Sequence, residues 1–162
     1  ADPNAKVVLV LRNPVDRSFS HYNHRIRKAK KNKVYGKEYP SFEEVLEGNV
    51  HSLKEAGLLN TALSPKEEYD LWSKLHRSSS DGADMGLITR SLYAIQLRQW
   101  IAAFRDHFGP ENFLDHLLIL ESEAMHVDKQ LYYDKVLDFI GLSPYTLPDI
   151  KDKHVGHYQP MT

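Results

Sequence analysis

The sequence predicts an α/β layer architecture with a parallel sheet. Two runs, Lys6-Val7-Val8-Leu9-Val10-Leu11 and Leu117-Leu118-Ile119-Leu120, are aliphatic without polar alternation. That pattern belongs to strands buried on both faces. Helical patterns lie between and after them, giving the order strand, helices, strand, helix that layered α/β domains share.

Taken in order, Asn13-Pro14 ends the first strand, because Pro14 cannot donate to a ladder and suits the first turn of a helix. A helix follows from Val15, with Phe19, Tyr22 and Ile26 at helical spacing. It ends in the cationic stretch Arg25 to Lys31, where the dipole favours positive charge. Residues 32–40 read as a loop. Ser41-Phe42-Glu43-Glu44 is a capping-box signature and opens a short helix to Leu46 or beyond. Residues 57–65 look irregular. Ser64-Pro65 starts another helix, carrying Tyr69, Leu71, Trp72 and Leu75, and residues 76–86 form a polar connection. The longest helical pattern runs from Thr89 to Phe108, with an apolar stripe that includes Leu92, Ile95, Trp100 and Phe104. Gly109-Pro110 stops it. After the second strand, residues 128–140 form a helix with Gly141 just beyond its end, and the chain is loop-like after Pro144. Trp72, Trp100 and Tyr93 are expected in the core.

The chain has 162 residues, 41% hydrophobic and 27% charged, enough apolar surface for one packed domain. It has no cysteine, which excludes a disulfide scaffold, a thiolate nucleophile and a cysteine-ligated metal centre. No apolar run is long enough to span a bilayer. The net charge of −1 hides segregation: residues 1–37 hold ten Lys/Arg against two Asp/Glu, and residues 38–162 hold eleven against twenty. A basic N-terminal part points to an anionic partner, or to a solvated helix face.

The segment from Leu11 to Tyr22 carries the most chemistry. The first strand delivers Arg12 at its C-terminal end, where open α/β sheets bind ligands. The helix that follows offers free N–H groups at the same place. Ser20 lies about a turn and a half into it. An arginine and a hydroxyl so placed can hold one phosphate; the alternative is a structural arginine on a loop carbonyl and a solvent-facing serine.

These residues closely resemble the 3′-phosphate-binding motif of sulfotransferases, which use 3′-phosphoadenosine 5′-phosphosulfate (PAPS). The matching pattern is Leu11-Arg12-x-Pro14-x-x-Arg17-x-x-Ser20-x-Tyr22 behind a hydrophobic strand. The likeness continues in Arg90-Ser91-Leu92-Tyr93-Ala94 through Trp100, with Ser91 where the family usually has glycine. It continues again in Leu118-Ile119-Leu120 followed by Glu123, in Phe139-Ile140-Gly141-Leu142, and in Gly156-His157-Tyr158-Gln159-Pro160-Met161. Tyr22-Asn23-His24-Arg25 and the Phe42 helix look most like the carbohydrate, heparan-type branch.

The resemblance implies a P-loop-like three-layer sulfotransferase fold with a parallel central sheet, incomplete at the N-terminus. It implies that Arg12 and Ser20 bind the nucleotide 3′-phosphate, that Gly156, His157 and Tyr158 close over the nucleotide, and that Arg17 buttresses the loop or pairs with an acid. PAPS is the implied sulfonate donor, with no metal. The reaction implied is in-line sulfonyl transfer to a hydroxyl or amine, helped mainly by positioning and charge neutralisation. His24, four residues after Ser20, is the candidate acceptor-side acid/base group; His24, Arg25 and Lys28 are candidate acceptor-binding residues.

One departure matters. The family's lysine-bearing phosphate loop, which holds the 5′-phosphosulfate, has no counterpart in residues 1–162. The expectation is therefore a single partial domain over 1–162, the 3′-phosphate half, without the family's N-terminal loop, the main catalytic base expected from that region or the C-terminal helix, and so inert and marginally stable by itself or held by a second chain. The acceptor is expected to be a glycan or small molecule, and oligomeric state is left open. The compartment also stays open, Golgi lumen for a eukaryotic glycan enzyme or cytoplasm for a bacterial one. Two other classes compete: a non-catalytic module binding nucleotide or sulfated glycan, and a basic nucleic-acid-binding domain. The second is disfavoured because only Tyr35 interleaves the basic run, where single-strand readers stack several aromatics.

Overall fold

The computed structural model describes residues 4–31, 39–79 and 86–148. The chain divides into two compact units, Ala1–Asn13 with Gln99–Thr162, and Pro14–Arg98.

The first unit holds the sheet. Strand β1 (Val7–Leu11) pairs in parallel with β2 (Leu117–Glu121), Val7 opposite Leu117 and Leu11 opposite Glu121. The Val7 N–H extends the ladder to the His116 carbonyl at 2.8 Å. Both expected strands are present, but they are not fully buried. Leu117 and Leu120 are enclosed, whereas Val10 is 51% and Ile119 40% exposed. Among the described residues the sheet has two strands, so each strand has a ladder partner on one side only.

Two helices follow β2: α5 (Ser122–Val127), which the sequence pattern missed, and α6 (Lys129–Ile140). Asp128 caps α6 by accepting the Leu131 N–H at 2.9 Å. Gly141 ends it at φ +77°, in the left-handed region that favours glycine. There its N–H reaches the Asp138 carbonyl, and the Leu142 N–H reaches Leu137. Lys6 donates to the Phe139 carbonyl and lies over the Phe139 ring, tying the start of the strand to α6.

The second unit is helical. It contains α1 (Pro14–Lys31), α2 (Phe42–Glu55), α3 (Pro65–Ser79) and a 3-10 turn at Thr89–Ser91. The capping box at Ser41 is reciprocal: Ser41 Oγ accepts the Glu44 N–H at 3.1 Å, and Glu44 Oε2 accepts the Ser41 N–H at 2.7 Å. Thus anchored, α2 runs on to Glu55 and buries Phe42, Val45, Asn49 and Leu53. Phe19, Tyr22 and Ile26 of α1 pack against Phe42, Val45 and Leu87, with the Phe19 ring edge-on to Phe42 at 5.1 Å. A second cluster gathers Leu53, Leu58, Trp72 and Ile95. Within it Trp72 Nε1 donates to the Thr89 carbonyl at 2.7 Å.

The long helix expected over 89–108 is interrupted. Leu92 takes φ −78°, ψ 63°, separating the 3-10 turn from α4 (Tyr93–Phe108). The periodic stripe also overstates burial, since Ile95 is the buried residue of α4. Trp100, expected in the core, is 45% exposed and stacks along the helix on Phe104.

Candidate functional site

The site begins where β1 ends. Arg12 follows the strand directly and its side chain is 43% exposed. The Asn13 N–H donates to Glu123 Oε1 at 2.9 Å, and Ser122 Oγ donates to Glu123 Oε2 at 3.0 Å. Glu123 therefore holds the loop after β1 by its backbone. The Asn13 N–H, more than any other group, keeps the Glu123 carboxyl below the usual carboxylate range. Arg12 Nε lies 4.0 Å from Glu123 Oε1, a long and exposed ion pair of little worth to stability. Such an arginine remains able to take an anion.

Helix α1 supplies the other candidates. Ser20 is half-buried, His24 exposed, Arg25 half-buried and Lys28 exposed. Ser20, His24 and Lys28 succeed one another at four-residue steps and so share one side of α1. Arg12 belongs to the first unit, and Ser20, His24, Arg25 and Lys28 to the second. Gly156, His157 and Tyr158 lie outside the described residues.

Sequence reasoning missed a polar hub around the first turn of α1. Ser18 is buried at 5% exposure, and its Oγ meets the Pro14 carbonyl (2.8 Å), the Leu87 carbonyl (3.1 Å) and Ser91 Oγ (3.0 Å). Arg17 Nη1 donates to the Leu87 carbonyl at 3.1 Å and to Ser91 Oγ at 3.0 Å. Among the described residues Arg17 pairs with no acid, and what it braces is the 87–91 turn. The signal available was Ser91 itself, a hydroxyl where the family usually has glycine. Asn49 completes the frame: its Oδ1 accepts the Ile88 N–H at 3.1 Å and its Nδ2 donates to the Val45 carbonyl at 2.8 Å. An apolar cleft of about 350 Å³ opens beside Ser18 and Ser91, walled by Val15, Phe42, Leu46 and Leu92.

His21 is unsuited to general-base work near neutral pH. Burial first, then the charges of Arg17, Arg90, Arg25 and His24, push its pKa down to about 4. Arg17 Nη2 lies 3.4 Å from His21 Nδ1, so Nδ1 is the acceptor and the proton of the neutral ring sits on Nε2.

The sulfotransferase domain family matches residues 1–158 of this chain. The chain belongs to the sulfotransferase family. A relative, the membrane-associated sulfotransferase kil1 of Dictyostelium discoideum, is 25% identical over 208 aligned residues. That alignment covers 98% of this chain and 42% of the relative, so the sulfotransferase chain spans less than half of the relative's length. No solved structure matches it. Among the described residues, no group of three or more side chains could hold a metal ion, and no helix is long and apolar enough to cross a membrane.

Proposed function

We propose that this sulfotransferase chain binds the 3′-phosphate of PAPS through Arg12 and Ser20, and that the whole enzyme sulfonates a hydroxyl or amine of a carbohydrate acceptor on a three-layer, P-loop-like fold. The observation that carries the reading is Arg12 at the C-terminal end of a parallel strand, inside a sulfotransferase-domain match. The donor set fits a phosphate: an exposed guanidinium whose ion pair among the described residues is a carboxylate 4.0 Å away, and a half-buried helix hydroxyl eight residues on. Bound PAPS would supply the sulfonate and a leaving phosphate. Arg12 would neutralise and orient the 3′-phosphate, Glu123 would hold the Arg12 loop through Asn13, and Ser20 would donate its hydroxyl. Gly156, His157 and Tyr158 are assigned to nucleotide contacts by the family pattern. His24, Arg25 and Lys28 would face the acceptor, for which a positive helix end suits an acidic glycan.

Calorimetry with 3′,5′-bisphosphoadenosine and 5′-AMP tests the reading. The bisphosphate should bind more tightly, and Arg12→Ala should remove about 1.5–3 kcal/mol of that binding, the range of a lost charge-assisted bond. Equal affinity for the two nucleotides would overturn the assignment.

A further inference from the structure

A second cationic cluster lies wholly within the helical unit. Arg17, His21 and Arg25 recur at four-residue steps on α1 and share one side of that helix. Arg90, on the 3-10 turn, stands close enough for its charge to act on Arg17, His21 and His76. Tyr93 acts on Arg17 from the start of α4. Two arginines in a half-buried setting call for counter-charge, yet among the described residues the hydrogen-bond partners of Arg17 are neutral. Arg17 spends Nη1 on a carbonyl and a hydroxyl and turns Nη2 to the imidazole of His21. Arg90 Nε is buried and meets no acceptor among the described residues. A buried guanidinium N–H without an acceptor is costly unless a ligand provides one. His21 adds a neutral donor to the cluster, the Nε2–H left when its Nδ1 accepts from Arg17.

We propose that Arg17, His21 and Arg90 form a binding site for a tetrahedral oxyanion, a sulfate or phosphate group, separate in its side chains from the Arg12–Ser20 pair. Arg90 provides its unpartnered Nε–H and its charge, and Arg17 provides charge while remaining fixed to the Leu87 carbonyl and Ser91. His21, its Nδ1 held by Arg17, presents Nε2–H as a neutral donor. A sulfate already carried by the acceptor and free inorganic sulfate offer the same chemistry. The site does not depend on the nucleotide assignment, since none of its residues belongs to that pair.

Imidazole NMR of the full 162-residue chain tests this, with sodium sulfate titrated against sodium chloride at constant ionic strength. Sulfate should shift the His21 ring signals saturably and raise the pKa of His21, because a bound dianion favours the imidazolium; chloride should do neither. Arg90→Gln should weaken the response at least about tenfold, the loss expected of a charge-assisted contact. Arg90→Lys, which keeps the charge and the stem, should retain part of it, and the other histidine signals report whether each variant is folded. A sulfated disaccharide with the same His21 signature would identify the acceptor as the source of the anion; a response to inorganic sulfate alone would identify the free ion. Unsaturable or chloride-equal shifts would overturn the proposal. So would a response confined to 3′,5′-bisphosphoadenosine and abolished by Arg12→Ala, which would assign the cluster to the nucleotide pocket.

Discussion

Glu123, two residues beyond β2, accepts the backbone N–H of Asn13, two residues beyond β1, at 2.9 Å. The same carboxylate oxygen stands 4.0 Å from Arg12 Nε. Two parallel strands in this register bring their C-terminal ends side by side, so one acidic residue can both fix the loop and moderate the charge of its arginine.

Glu123→Gln separates these two effects, because the amide oxygen can still accept the Asn13 N–H while the negative charge is gone. Nucleotide binding should strengthen about two- to fivefold, as Arg12 loses a competing anion at an exposed site. A weaker-binding variant, measured by calorimetry, would show that the carboxylate itself is needed. The carboxyl of Glu123 is depressed in the folded chain, so its stabilising part is present above the ordinary carboxylate range. It is lost as pH falls through that range and below.

Ser91 should matter to stability more than its position in a short turn suggests. It accepts from Arg17 Nη1 and shares a contact with the buried Ser18 hydroxyl. Ser91→Ala strips a partly buried guanidinium of one acceptor and should lower stability by about 1–3 kcal/mol. A urea midpoint indistinguishable from that of the parent chain would mean that water replaces the hydroxyl without loss.

His21 should make the helical unit acid-sensitive. Its folded pKa of about 4 lies below the model-peptide value of 6.5, so the unfolded chain binds the extra proton first. Stability is therefore full above pH 6.5 and declines as pH falls from 6.5 towards 4. His21→Gln should flatten the stability profile across that window while leaving the Glu123-dependent loss at lower pH. The two profiles, recorded by thermal melting, should converge above pH 7 apart from a constant offset. Parallel curves from pH 4 to 7 would assign the acid sensitivity elsewhere.

Residues 1–162 alone should transfer no sulfonate. Charge develops on the leaving 5′-phosphate, and a cation must meet it there. Family resemblance assigns that cation to a lysine-bearing loop that these residues do not contain. An assay with radiolabelled PAPS and mixed glycan acceptors checks it, and robust turnover would show that the cradle is supplied by residues in hand.

Much of the frame could be read from local pattern, because local physics sets it. The aliphatic runs at Val7–Leu11 and Leu117–Glu121 became paired strands, Pro14 opened α1, Ser41 and Glu44 closed their reciprocal cap, and Gly141 took its left-handed turn. Arg12 and Ser20 stand out in the sequence through their resemblance to the sulfotransferase motif, and their role in binding is a proposal. Tertiary structure decided what depends on neighbours. Periodicity counts apolar residues but not what covers them, so Val10, Ile119 and Trp100 proved exposed. Polar residues such as Ser18, Asn49 and Ser91 have no hydrophobic signature; their roles appear only when partners distant in sequence arrive, Leu87 at Ser18, Ile88 at Asn49 and Arg17 at Ser91. The depressed pKa of His21 has the same origin in part, since burial withdraws its water first, and Arg90 reaches it through the fold to add to the charge of Arg17.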